Sequence, residues 1–184
     1  MTDGGFYDVG PLRQVAINLF YGWGYNFYRK ENQLRADDQL IRAKAAWLLG
    51  VAVSSVEAAE SVYRREVLGT PSRARPFPPA EAVAGAQSLE RLSRAISALA
   101  ARIGAQPTPE NDRMTQRYRQ EAATLETLIA SDEQLIGQAD LLRSMVDGRD
   151  GGAILETLPT LEGGLAAIQA TLLQRQGVLG DRAT

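Results

Sequence analysis

Neither cysteine nor histidine occurs in these 184 residues. Without cysteine there is no disulfide, no thiolate nucleophile, no cysteine zinc site and no iron–sulfur cluster. Without histidine there is no Ser-His-Asp triad, no histidine-ligated haem and no di-iron centre with Glu-x-x-His arms. Proton transfer near neutral pH would fall to carboxylates, tyrosines or the two lysines, Lys30 and Lys44. The expectation therefore leans away from an enzyme, and no cofactor is expected.

Other features are missing too. Twenty basic residues against 22 acidic ones leave a net charge of −2, without the basic excess that nucleic-acid binding by bulk charge requires. Met1–Gly10 has no basic start and no apolar stretch of the kind a signal peptide carries. The longest apolar run, Ala45–Val53, is too short to span a bilayer. Period-two alternation of β-branched residues is absent, and so is any phosphate-cradling glycine loop, metal-ligand cluster or nucleophile elbow. All the basic residues but two are arginine, which together with the alanine content suggests a bacterial source. The lack of cysteine fits a reducing cytoplasm.

What remains is helical periodicity. Residues 1–10 read as a flexible lead-in. Pro11 suits a first helical turn, and Leu12, Val15, Ala16, Leu19, Phe20, Trp23, Phe27 and Leu34 recur at spacings of three and four. Asp37 or Asp38 can cap a second helix that reaches about Val67, unless the first helix runs straight through. Its stripe is Leu40, Ile41, Leu48, Val51, Ala52, Val56, Ala59 and Val62. Because Ala45–Val53 is apolar on every side, it reads as shielded all round.

Residues 69–79 hold four prolines and read as a stiff linker. They also contain Arg73-x-x-Pro76-x-x-Pro79, a pattern that proline-reading domains recognise. A third helix opens near Ala80 with a seam of Leu89, Leu92, Ile96, Leu99 and Ile103, and Gly104 ends it. Thr108, Pro109 and Glu110 open a fourth helix, with a seam through Met114, Tyr118, Ala122, Leu125, Ile129, Ile136, Ala139 and Val146. Asp132 falls on that seam, and Ser131 with Gln134 forms a capping-box pattern where the helix could break. A turn at 148–152 leads to a short helical piece and then a last helix with Leu161, Leu165, Ile168 and Leu172 on one face. Gly177 opens a tail, 177–184. The sum is one all-α domain, 1–184: an antiparallel bundle of four to five long helices.

The densest feature is Phe20–Tyr28, which holds half of the chain's twelve aromatic residues. On a helix Phe20, Trp23 and Phe27 share one face. Tyr21, Tyr25 and Tyr28 share the next, with Arg29 adjacent. Tyrosine joins an apolar body to a polar tip, the chemistry enriched at protein interfaces. Tyr21, Trp23, Tyr25, Tyr28 and Arg29 are the candidate contact residues for a protein partner or a second copy. Core packing with the hydroxyls at the surface is the plainer account. A membrane-surface reading is weaker, because the polar side lacks a run of basic residues. Among carboxylates, Glu57 and Glu60 stand one turn apart, the spacing of a magnesium-binding pair. Glu121 and Glu126, the nearest second pair, have the wrong spacing. Glu60 before Arg64 and Glu90 before Arg94 have the order of solvated helix pairs instead.

The leading expectation is a non-enzymatic interaction or assembly subunit of the cytoplasm. A ligand-binding or carboxylate-metal enzyme is the first alternative, and a peripheral membrane protein the second.

Overall fold

The computed structural model describes residues 3–21, 34–69, 73, 76–106 and 122–180. All regular structure among them is helical. A 3₁₀ turn, Asp3–Phe6, precedes α1 (Val9–Tyr21). Then come α2 (Leu34–Tyr63), which closes in a π turn at Arg64–Leu68, and α3 (Ala80–Gly104). The rest is α4 (Ala122–Val146), the short α5 (Gly151–Glu156) and α6 (Leu158–Gly180).

Four helices make the bundle, in the order α2, α3, α6, α4 around its section. Helix α3 runs against α2: Arg42 meets Gln106, Ser93 meets Glu57 and Arg64 reaches Glu90. Helix α6 likewise returns along α4, bringing Arg175 to Asp132. Helices α2 and α4 lie side by side in the same direction, since Lys44 neighbours Asp140 and Tyr63 sits beside Gly151. Among the described residues helix α1 packs chiefly on α4 and runs against it, with Phe6 at Gln138 and Arg13 at Glu133.

One continuous core fills the section. Leu48, Leu49, Ala52 and Val56 of α2 meet Leu89, Leu92 and Ile96 of α3, Leu135, Ile136, Ala139 and Leu142 of α4, and Leu161, Ile168 and Leu172 of α6. Glycines set the closest approaches. A Cβ on Gly137 would strike the backbone of Leu12, so its absence lets α1 lie tightly on α4. A Cβ on Gly164 would enter the ring of Phe6. Gly69, at φ +64°, adopts the left-handed conformation that ends the π turn.

Several sequence expectations change at this point. The lead-in is anchored: Phe6 is 1% exposed, and its carbonyl accepts a hydrogen bond from Gln138 Nε2 at 2.9 Å. Helix α2 is already formed at Leu34, so Asp37 and Asp38 lie inside it, buried, and do not cap it. The stretch Ala45–Val53 is not shielded all round, because Trp47 is 56% exposed. Helix α4 passes through Ser131 unbroken; the Ser131 hydroxyl donates to the Thr127 carbonyl at 2.9 Å, which keeps it from capping. Asp150 supplies the cap that ends the turn, its Oδ1 accepting from the Ala153 amide at 2.9 Å. Helix α6 continues through Gly177 to Gly180.

Candidate functional site

The candidate aromatic face falls largely outside the described residues. Tyr21 is the last residue of α1, and Trp23, Tyr25, Tyr28 and Arg29 lie beyond it, as do Thr108, Pro109 and Glu110. Glu57 and Glu60 are described and engaged. Glu57 accepts from the Ser93 hydroxyl at 3.1 Å, and Glu60 holds Arg64 at 2.5 Å. Arg64 continues to Glu90, and Glu90 to Arg94, in an exposed ionic chain that ties α2 to α3. Among the described residues no three acidic side chains come together as a metal site.

The strongest concentration of charge is buried at the end of the bundle where α2 begins and α6 finishes. Arg175 is 1% exposed on α6 and carries the side of a core position, three residues after Leu172 and seven after Ile168. Its Nε donates to Asp132 Oδ1 of α4 at 2.6 Å, and its Nη2 donates to Asp38 Oδ1 across the bundle on α2. Asp38 Oδ2 stands 2.7 Å from Arg42 Nη2, one turn on, and Arg42 Nη1 donates to the Gln106 carbonyl at 2.5 Å, just past the end of α3. Burial works against the Arg175 charge, but Asp132 and Asp38 outweigh it and hold the guanidinium above its ordinary pKa. Four helices are thus pinned at one level by two arginines and two aspartates. The planar guanidinium suits this task, since its fixed fork can serve two carboxylates at once.

Asp132 on the α4 seam and the Asp37–Asp38 pair are visible in the sequence; Arg175 was the missing member. A charged residue on the apolar face of α6, matching one on the face of α4, is the signal that joins them. The arrangement orients helices. Its charged groups face one another across the bundle.

A groove of about 170 Å³ runs between α3 and α6, floored by Leu92, Leu158 and Leu165, with exposed Arg91 and Glu162 beside it. Pockets that enclose a drug-sized ligand occupy about 300–1,000 Å³, so this groove is smaller than those.

The remaining feature is the outward face of α2. Leu40, Ala43, Trp47, Gly50, Ser54, Glu57 and Ser61 are all exposed and follow spacings of three and four. Surface faces of helices normally carry charge; that of α3 bears Arg91, Arg94 and Arg102. On α2 the face is uncharged from Leu40 to Ser54. Lys44 stands at its edge, with Nζ 4.2 Å from the centre of the Trp47 ring, and burial lowers its pKa. Helix α2 with its π turn, Asp37–Leu68, is long enough to cross a membrane and holds an 18-residue window apolar enough to do so, with a mean hydropathy of 1.3. Its apolar character arises from a core face together with this unusually uncharged outer face. No family model, no curated protein and no solved structure matches the chain.

Proposed function

We propose that this chain is a non-enzymatic interaction or assembly subunit: a rigid helical bundle that presents apolar and aromatic side chains to a protein partner or to another copy. The observation that carries the reading is the outward face of α2, where Trp47 and Leu40 remain 56% and 45% exposed with Ala43 between them on the ridge and Lys44 at its edge. Single exposed apolar side chains are ordinary, but a continuous uncharged ridge bearing them is the kind of surface that association uses. The tyrosines Tyr21, Tyr25 and Tyr28, with Arg29, supply further contact chemistry in this reading. The engagement of Glu57 by Ser93 and of Glu60 by Arg64 weighs against a carboxylate-metal enzyme. A cysteine-free, arginine-rich chain fits work in a reducing bacterial cytoplasm.

Light scattering after size exclusion, with partner capture from the native host, tests the proposal. Association of the wild type with itself or with a captured partner, weakened on replacing Trp47 or the set Tyr21, Tyr25 and Tyr28 by alanine, is the expected result. A monomer that captures nothing would sink it.

A further inference from the structure

Among the described residues nothing crowds Gly50. Four helical glycines are crowded by neighbours: Gly85 and Gly151 by Tyr63, Gly137 by Leu12 and Gly164 by Phe6, whereas Gly104 and Gly177, which are open, lie near helix ends. A Cβ on Gly50 would meet nothing within 4 Å. Yet the residue sits in the middle of a 30-residue helix, where glycine costs about 1 kcal/mol relative to alanine. It lies on the uncharged outer face, one turn from Trp47, the one large aromatic on that face.

The face is self-complementary in one arrangement. In an antiparallel pair of helices with a knobs-into-holes seam, the two alternating seam positions face each other. The twofold axis then falls level with Leu48 and Leu49. Trp47 of one copy comes opposite Gly50 of the other, Ala43 opposite Ser54, and Leu40 opposite Glu57. The large indole meets the open space at glycine, twice over, by symmetry. An isologous contact of this kind closes on itself as a dimer.

We propose that two copies of this chain pair along the outer face of α2, antiparallel, with Trp47 of each seated over Gly50 of the other. This deepens the reading of an assembly subunit by naming the partner and the surface, and the surface is separate from Phe20–Tyr28. The ridge from Leu40 to Ser61 is about 32 Å long and, at a helix diameter of about 12 Å, covers roughly 400 Å² per copy. That is about half of the ~800 Å² per partner of a stable complex. The dimer is therefore weak and concentration-dependent.

Sedimentation equilibrium from micromolar to near-millimolar protein tests this. The wild type should shift from monomer to dimer. Gly50→Leu, which the open surface tolerates, should weaken dimerisation at least tenfold with an unchanged circular dichroism spectrum. Because the chain lacks cysteine, the register can be read directly. Ala43→Cys mixed with Ser54→Cys should form a disulfide-linked dimer on oxidation, whereas Ala43→Cys alone should not. A wild type that stays monomeric throughout overturns the proposal. So does a dimer untouched by Gly50→Leu, or binding of the wild type to phosphatidylcholine vesicles in place of self-association. A dimer that survives Gly50→Leu but is lost with the tyrosine variants would leave the assembly reading standing and remove this surface. A dimer lost with Gly50→Leu but kept by the tyrosine variants would support this surface and remove the aromatic segment from the association.

Discussion

Arg175 gives up its hydration entirely, so its two carboxylate partners are not optional. A buried pair broken on one side leaves an uncompensated charge in a low dielectric, which typically costs about 3–5 kcal/mol. Asp132→Asn keeps the shape and removes the charge. It is expected to lower stability by about that amount in urea unfolding, and Arg175→Met should leave Asp38 and Asp132 facing each other with a similar loss. A change below about 1 kcal/mol in both would mean that the cluster is solvated and not buried. The glycines give a second contrast at this scale. Gly50→Ala should stabilise by about 1 kcal/mol, since helix propensity improves and nothing is displaced. Gly137→Ala should destabilise by about 1–3 kcal/mol, the range for overpacking, because the added methyl strikes the backbone of Leu12. The two variants share one chemical change, so melting curves with the same sign for both would contradict the packing described.

Helix α1 is held to α4 by the Gly137 approach and by Arg13, whose Nε lies 3.0 Å from Glu133 Oε2. Burial lifts the Glu133 pKa above the ordinary 4.5, and Arg13 opposes the rise without cancelling it. The folded state therefore favours the neutral acid more than the unfolded chain does. The cost of ionising it is absent below the unfolded pKa, grows as pH rises through the folded value and is complete above it. Glu133→Gln removes this cost. The variant should melt above the wild type at pH 7 and level with it near pH 3.5. A wild type more stable than the variant at pH 7 would show that the Arg13 pair outweighs burial. At this scale the sequence was most readable where one face alone is apolar. In α3 the seam Leu89, Leu92, Ile96, Leu99 and Ile103 is buried as its spacing predicts, between the same ends. It was less readable in α2, where Leu40, Trp47, Val51 and Val53 make both sides apolar, so that periodicity cannot tell core from surface. The capping patterns at Asp37–Asp38 and Ser131 misled for a related reason. A short polar residue inside a helix looks like a cap until its tertiary partner, or its own carbonyl one turn back, is known.

For the whole molecule, fold and function were unequally written in the chain. Continuous three-and-four periodicity leaves little but a helical bundle. The buried charge cluster, by contrast, draws Asp38, Asp132 and Arg175 from three helices, a non-local pairing that no local pattern ranks above the alternatives. The proposed role in association turns on how aromatic side chains divide between core and surface, and truncation separates the two. Removing a buried Phe or Trp typically costs about 3–5 kcal/mol of fold stability. Removing an interface Tyr costs binding, about 2 kcal/mol or more at a hot spot, and leaves the isolated fold nearly intact. Trp23→Ala and Phe27→Ala are thus expected to lower the melting temperature sharply. Tyr21→Ala, Tyr25→Ala and Tyr28→Ala are expected to melt with the wild type while reducing associated mass or partner capture at least tenfold. Trp47→Ala belongs with the tyrosines in this comparison, because its ring is already half in solvent. If the tyrosine variants unfold as readily as the Trp23 variant, those rings are core and the association surface must be sought on α2 alone. If they change neither melting nor mass while Trp47→Ala abolishes the dimer, α2 carries the association and the aromatic segment does not.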